Sequence, residues 1–128
     1  MSNYTADSAA INRVLTDYVE GMTFGDEARL RQAFHPSCKI IGNYHGALEW
    51  SSLDEFIGAI KAESPPSEGA PPAWELKSLD ITGDSAVAKV TDEFLGMHFT
   101  DYLSLLQVGS GWQIINKLYY LHSGALDN

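Results

Sequence analysis

Residues 99–120 read FTDYLSLLQVGSGWQIINKLYY, two largely apolar stretches separated by Gly109, Ser110 and Gly111. Two glycines within three residues mark a tight turn. The flanking segments are rich in leucine, isoleucine and tyrosine, which pack well on a pleated sheet. The pattern therefore predicts a hairpin of two strands at 99–108 and 112–121.

The same pattern of largely apolar stretches separated by turn residues continues upstream of this hairpin. Gly83 and Asp84 predict a second tight turn between strands at 74–81 and 85–95, and Gly96 indicates a bend or bulge before the next strand. Residues 64–72, SPPSEGAPP, exclude a helix or a central strand and predict a surface loop. The second half of the chain is thus a predicted meander of four strands.

The first half is predicted to be helical. Apolar residues recur at helical spacing and define one face: Ile11, Val14, Leu15, Tyr18, Val19 and Met22. The helix is expected to begin between Thr5 and Ser8 and to end at Phe24, before Gly25. Tyr18 lies near the centre of the face, and a buried phenol needs a hydrogen-bond partner. Either the core supplies that partner, or the helix roofs a pocket that a ligand enters.

Two further helices are predicted before the meander. Asp26 is expected to cap a short helix with Phe34 on its inner side, and Pro36 to stop it. Ser52 and Glu55 have capping-box spacing and predict a third helix to about Lys61, followed by the loop. A short strand is expected at 39–41. Helices first and strands second indicate one α+β domain over residues 1–128, with helices packed on one face of an antiparallel sheet.

Composition excludes several classes of function. The chain has 128 residues, 45% of them hydrophobic, and a formal net charge of −9, which argues against nucleic-acid and anionic-membrane partners. Cys38 is the single cysteine, so no internal disulfide is expected. We find no signal-peptide pattern and no membrane-spanning apolar run, and we expect a cytoplasmic protein.

Four stretches carry a resemblance to a known family, and together they cover most of the chain: DYVEGMTFGD (17–26), AFHPSCKI (33–40), LDITGDSAVAKV (79–90) and the hairpin quoted above. The sequence resembles the nuclear transport factor 2-like superfamily, and within it the putative lumazine-binding or SnoaL-like family. The resemblance implies a cone-shaped, cystatin-like fold in which a curved antiparallel sheet wraps three helices around a pocket.

A second resemblance, to ketosteroid isomerase, concerns the chemistry of that pocket. In that enzyme a tyrosine and a protonated aspartic acid form an oxyanion hole, and another aspartate is the base. The ungapped match places Tyr18 at the tyrosine, Gly42 at the base and Ser104 at the aspartic acid. Since the base and the second donor are missing from these positions, the resemblance implies that steroid isomerisation is absent.

Strand alternation alone leaves both faces of the last two strands as candidates for the pocket wall, because both look half-buried. The resemblance favours the face that carries Tyr102. The ligand-binding residues it implies are Tyr18, Met22, Phe56, Tyr102, Ser104, Asn116, Leu118 and Tyr120. For Tyr18 and Asn116 a purely structural role stays open.

Three charged or titratable residues have alternative interpretations. His35 is expected to interact with the end of the second helix, and its rival role is that of a general base, so Tyr18 and His35 are the catalytic candidates. Asp101 and Lys117 are expected on the outer sheet face, as a pair or at a dimer interface. The histidines are scattered and no ligand spacing recurs, so neither a metal site nor a cofactor is expected.

Three function classes follow from these patterns. The first is a small-molecule-binding domain for a planar or cyclic organic ligand in an apolar pocket. The second is a cofactor-free isomerase, dehydratase or cyclase acting on a cyclic substrate, and the third is a purely protein-interacting dimer. A homodimer is expected in each case, through an apolar outer stripe of Ile115, Tyr119 and Leu121.

Overall fold

The structure is a computed structural model that describes residues 4–63, 72–109 and 111–123. The elements within these ranges are, in chain order, α1 Tyr4–Phe24, α2 Glu27–Ala33, β1 Phe34–Tyr44, β2 Ala47–Ser52, α3 Leu53–Glu63, β3 Trp74–Thr82, β4 Ser85–Phe94, β5 Met97–Val108 and β6 Gly111–Ser123. The fold is α+β, as predicted, with three helices and a curved sheet.

One six-stranded sheet has the order β2-β1-β6-β5-β4-β3. Neighbouring strands are antiparallel except β1 and β6, which are parallel. The parallel pair joins the N-terminal hairpin of β1 and β2 to the C-terminal meander, and this makes the two halves one sheet. The helices cover one face of it, called the inner face below, and the opposite face is called the outer face.

Three local start and stop signals are confirmed, whereas α1 begins at Tyr4, ahead of the predicted start between Thr5 and Ser8. The Asp26 side chain caps α2 by accepting from the backbone N–H of Arg29 at 3.3 Å. Ser52 and Glu55 form a reciprocal capping box at α3, with bonds of 2.9 and 3.1 Å. Gly25, at φ 65°, takes the left-handed conformation that ends α1.

The segment after α2 differs from its prediction. Phe34 begins β1 instead of completing the helix, β1 is much longer than 39–41, and β2 had not been predicted. Pro36 lies in β1 where its pairing with β6 is interrupted, between Phe34 and Lys39. A proline is tolerated in an inner strand at such an irregularity because no ladder hydrogen bond is required of it there. The predicted loop lies almost wholly outside the described residues.

A bulge decides which side chains of β6 face the helices. Ile114 pairs with Leu105 and Asn116 with Ser104, so Ile115 has no partner across the ladder. The extra residue shifts the alternation by one. Ile114, Lys117 and Tyr119 are therefore all buried on the inner face. On β5 the alternating residues Asp101, Leu103 and Leu105 are likewise buried on the inner face.

Candidate functional site

A cavity of about 230 Å³ lies between the inner face and the helices. Its wall is mostly apolar and aromatic, with a few polar groups, which is the usual composition of a small-molecule site. The lining residues are Met22, Ile40, Tyr44, Glu49, Phe56, Ala59, Ile60, Glu63, Phe94, Phe99, Lys117 and Tyr119. Glu63 is exposed and marks the mouth, whereas Phe56 and Lys117 are buried deeper.

Lys117 is a buried cation in the wall of this cavity, with only 5% of its surface exposed. Its Nζ lies over three aromatic rings, 4.6 Å from the ring centre of Phe56, 4.9 Å from that of Tyr18 and 5.5 Å from that of Tyr119. Each such contact contributes about 0.5–2 kcal/mol. Within the described part of the chain, no carboxylate oxygen lies within salt-bridge distance of Nζ.

Tyr18 and Asp101 form a buried hydrogen bond next to Lys117. The Tyr18 hydroxyl donates to Oδ2 of Asp101 at 2.6 Å, and both residues are fully buried. Burial and, after it, the Asp101 carboxylate raise the pKa of Tyr18 well above its usual value. Tyr18 therefore keeps its proton and remains a donor to the carboxylate. Neither residue lines the cavity.

Asp92 is a second buried acid in this cluster. It lies on β4 diagonally across from Asp101, since Asp92 pairs with Phe99 and Val90 with Asp101. Burial raises the pKa of Asp92, and Asp101 raises it further, against an opposing effect of Lys117. As two carboxylates, neither acid could donate to the other. A protonated Asp92 could donate to Asp101, whose Oδ1 has no hydrogen-bond partner among the described residues.

Glu49, Gly42 and Tyr119 form a row across three neighbouring strands. Gly42 of β1 pairs with Glu49 of β2 on one side and with Tyr119 of β6 on the other. Since Gly42 has no side chain, the Tyr119 ring extends across it, and the hydroxyl donates to Oε1 of Glu49 at 2.5 Å. Burial, and then this bond to Glu49, raise the pKa of Tyr119, so Tyr119 stays protonated.

The predicted site residues lie in three places: the cavity wall, the core and the outer sheet face. Met22 and Phe56 line the cavity. The predicted placement of Tyr18 in the pocket was wrong, because its hydroxyl is bonded to Asp101 within the core. The choice of sheet face was also wrong, since the following residues lie on the outer face: Tyr102, Ser104, Asn116, Leu118 and Tyr120. The resemblance favours this face. In the structure the inward-facing side chains of β5 are Asp101 and every second residue after it, and on β6 the bulge at Ile115 shifts the inward-facing positions by one.

The charged or titratable candidates also lie at places other than those predicted. Asp101 and Lys117 share a face as predicted, but it is the inner one. His35 is in β1, outside the cavity lining, and its Nδ1 accepts from the backbone N–H of Ser37 at 3.0 Å. In the expected outer stripe, Tyr119 was misplaced, because it is buried on the inner face.

Sequence reasoning missed Glu49, Tyr119 and Asp92 as site residues. Glu49 lay in a strand that had not been predicted, and its meeting with Tyr119 depends on strand order. A partial signal existed for the inner face: Asp101 alternates with Leu103 and Leu105, which is a run of core leucines broken by a single acid. Such an acid is a candidate for a buried, hydrogen-bonded group.

Two negative findings concern the described residues alone. Within 4–63, 72–109 and 111–123, no group of three or more histidine, cysteine or acidic side chains could hold a metal ion. No helix in these ranges is long and apolar enough to cross a membrane.

Solved structures with this fold are numerous. The chain is similar to a nuclear transport factor 2-like protein of unknown function from Silicibacter pomeroyi, with 30% identity, 94% of this chain and 100% of that chain covered, and a TM-score of 0.89. One from Shewanella baltica, also of unknown function, has 27% identity, coverage of 97% and 100%, and a TM-score of 0.86. A protein described as a putative ketosteroid isomerase, from Shewanella frigidimarina, shares the fold at 22% identity, with coverage of 87% and 94% and a TM-score of 0.63.

Sequence comparisons agree with the fold. No curated protein matches the chain. The model of the family described as "Putative lumazine-binding" matches residues 6–120, which is most of the sequence. The protein therefore belongs to the putative lumazine-binding family, of nuclear transport factor 2-like fold.

Proposed function

We propose that this protein binds a small, flat organic molecule in the cavity, with a carbonyl or weakly acidic oxygen of the ligand directed at Lys117. The observation that carries the proposal is the buried ammonium of Lys117 in a wall that is mostly apolar and aromatic. The Lys117 ammonium is desolvated and has no carboxylate within salt-bridge distance among the described residues. It can therefore donate a hydrogen bond to an acceptor atom of a ligand.

The remaining lining restricts the chemistry of the ligand. Phe56, Phe94 and Phe99 offer ring surfaces for a flat molecule. Glu49 and Glu63 place carboxylates on the wall and at the mouth, and the chain carries a net charge of −9. These charges disfavour strongly anionic ligands and favour N–H or O–H donors. The volume, below the ~300–1,000 Å³ of drug-sized sites, suits one or two fused rings.

The family description supplies one probe of this kind. Lumazine is a bicyclic ring system with carbonyl acceptors and N–H donors, and it is fluorescent. We expect titration of the protein with lumazine or 2-naphthol to show saturable binding of at least one of the two. If both fail to bind at millimolar concentration, the proposed ligand class is wrong.

Two pairs of variants locate the binding. Ala59→Trp should block the cavity and abolish binding, whereas Ala62→Trp, on the same helix but outside the lining, should not. Lys117→Met should weaken binding at least tenfold, or about 1.4 kcal/mol. Lys89→Met, which removes an exposed lysine over Tyr102, is its control. Unchanged binding by Ala59→Trp would place the ligand elsewhere.

A cofactor-free enzyme of the isomerase, dehydratase or cyclase kind is the second candidate. It is favoured by one observation: the cavity wall contains two titratable groups in hydrogen-bond contact, Tyr119 and Glu49, next to a cation. A purely protein-interacting role is less well supported, because the cone is not filled by its own side chains.

A homodimer through the outer face is part of the proposal. This face carries exposed apolar residues on adjacent strands, namely Val87, Tyr102, Ile115, Leu118 and Tyr120. Tyr102 and Leu118 are direct cross-strand neighbours. A contiguous apolar surface of this kind favours association, and a second copy presents the same surface.

A further inference from the structure

Lys117 differs in its surroundings from the other four lysines of the chain, which are all exposed: Lys39, Lys61, Lys77 and Lys89. Only 5% of the Lys117 surface is exposed, and its side chain lines the cavity. Its partners on the neighbouring strands, Ile40 and Leu103, are fully buried and apolar. The one buried amine among the described residues therefore borders the space proposed for a ligand.

Aromatic rings, and not an acid, surround this amine. The Lys117 Nζ lies 4.6, 4.9 and 5.5 Å from the ring centres of Phe56, Tyr18 and Tyr119. Among the described residues no carboxylate oxygen is within salt-bridge distance of it. Burial has also removed most of the water that would hydrate an ammonium. Lysines that attack carbonyl compounds are typically activated in this way, by desolvation in an apolar pocket.

We propose that Lys117 is a nucleophile that condenses with the carbonyl group of a flat aldehyde in the cavity and forms a reversible, protonated imine. The inference rests on the proposed binding of a flat molecule with its carbonyl oxygen directed at Lys117, because that pose also brings the carbonyl carbon close to Nζ. Holding the two groups together makes the attack effectively unimolecular. The ligand class is thereby narrowed to aldehydes, whose carbonyl carbon is less hindered than that of a ketone.

The condensation balances without a further reactant. Before the aldehyde enters, the ammonium loses one proton to solvent, and the lone pair so freed forms a bond to the carbonyl carbon while the carbonyl π pair moves to oxygen. A second proton passes from nitrogen to that oxygen. The oxygen then takes up one proton from solvent and leaves as water, and the nitrogen lone pair forms the carbon–nitrogen double bond. The third proton stays on nitrogen, so the net charge is unchanged.

The surroundings of Lys117 suit the product as well as the free side chain. The protonated imine carries its positive charge on the same nitrogen as the ammonium did, so the three rings around Nζ continue to stabilise it. Phe94 and Phe99 offer ring surfaces for the aromatic part of the aldehyde. Because water has little access to the buried nitrogen, hydrolysis of the imine is slowed.

The test uses 2-naphthaldehyde, a two-ring aldehyde, together with sodium cyanoborohydride, which reduces an imine to a stable amine. Intact mass spectrometry should show an adduct with the mass of the aldehyde less one oxygen atom, and peptide mapping should place it at Lys117. We expect Lys117 to be labelled at least about tenfold faster than the exposed Lys89. Without the reductant, the conjugated imine should give a red-shifted absorption band that is lost on dilution.

Competition and variants show whether the reaction takes place in the cavity. 2-Naphthol or lumazine, whichever binds, should slow the labelling of Lys117 and leave that of Lys89 unchanged. Ala59→Trp, which blocks the cavity, should reduce the labelling of Lys117 to the rate of Lys89 or below, whereas Ala62→Trp, outside the lining, should retain it. Lys117→Met should remove the fast-labelled fraction, and Lys89→Met should keep it.

The outcomes separate this inference from the proposed binding. If either probe binds in the cavity but Lys117 is labelled no faster than Lys89, the imine is overturned and the binding proposal stands. Fast labelling of Lys117 that neither the probe nor Ala59→Trp reduces also overturns the inference, since the aldehyde would then not react from the cavity. If neither probe binds and Lys117 is not labelled, both proposals are overturned. Fast labelling of Lys117 that the probe suppresses supports both.

Discussion

The ring of Tyr119 occupies the space that a side chain on Gly42 would need. A methyl group added to Gly42 would lie 2.7 Å from both Cζ and the backbone carbonyl oxygen of Tyr119. The backbone oxygen is fixed by the parallel pairing of β1 with β6, so it cannot move away at low cost. The absence of a side chain at one position thus allows the hydrogen bond between Tyr119 and Glu49.

Gly42→Ala is therefore expected to destabilise the protein by about 1–3 kcal/mol, through overpacking. The measurement is urea unfolding followed by circular dichroism. Gly58→Ala is the matched control, because Gly58 is helical and an added methyl meets nothing within 4 Å. It should be neutral or stabilising by about 0.4–1 kcal/mol. Equal stability of the two variants would contradict the close approach of Tyr119.

Tyr18→Phe removes the single hydroxyl that donates to Oδ2 of Asp101. Oδ1 of Asp101 has no hydrogen-bond partner among the described residues. The variant therefore leaves the buried carboxylate without the hydrogen bond that offsets its desolvation. We expect a loss of about 1–3 kcal/mol in the free energy of unfolding. Tyr120→Phe, which alters an exposed tyrosine, should stay within about 0.5 kcal/mol of the parent protein. A Tyr18→Phe protein as stable as Tyr120→Phe would show that the bond contributes little.

Asp92→Asn tests the protonation of the buried acid pair. Burial, and after it the neighbouring Asp101, raises the pKa of Asp92 from 3.8 to about 10. Between these values the folded state holds a proton that the unfolded state has lost, so this group makes the free energy of unfolding fall as pH rises. Asparagine cannot lose that proton. The stability of Asp92→Asn relative to the parent should therefore increase from pH 5 to pH 9.

The measurement for Asp92 is urea unfolding at pH 5, 7 and 9. Asp80→Asn, at an exposed acid on β3, serves as control and should show no comparable trend. If the stability of Asp92→Asn relative to the parent does not change between pH 5 and pH 9, Asp92 is ionised in the folded protein.

Leu118→Glu tests the proposed homodimer. The substitution places a carboxylate in the centre of the exposed apolar residues of the outer face, where burial against a second copy would desolvate it. Light scattering of the parent at micromolar concentration should give twice the 14.0 kDa chain mass, and the variant should give 14.0 kDa. Tyr4→Glu, at an exposed residue of α1, should remain dimeric. A monomeric parent protein would refute the proposal.

Short-range signals in the sequence determined much of the fold. The Asp26 cap, the Ser52–Glu55 capping box and the turn at Gly83 each act over two or three residues, so a single sequence suffices to recognise them. The stripe that contains Tyr18 likewise predicted a buried face, and Tyr18 is fully buried. The bounds of the four C-terminal strands followed from the same local rules.

Only the tertiary structure decided the site. Pairing of β1 with β6 joins residues that are far apart in the chain, and together with the pairing of β1 with β2 it brings Glu49 and Tyr119 together across Gly42. The bulge at Ile115 reverses the alternation on β6 and puts Lys117 and Tyr119 on the inner face. Local propensity is nearly the same for either face of a half-buried strand. Which face of the strand is buried depends on the helices and neighbouring strands that pack against it, and the sequence of the strand itself does not contain that information.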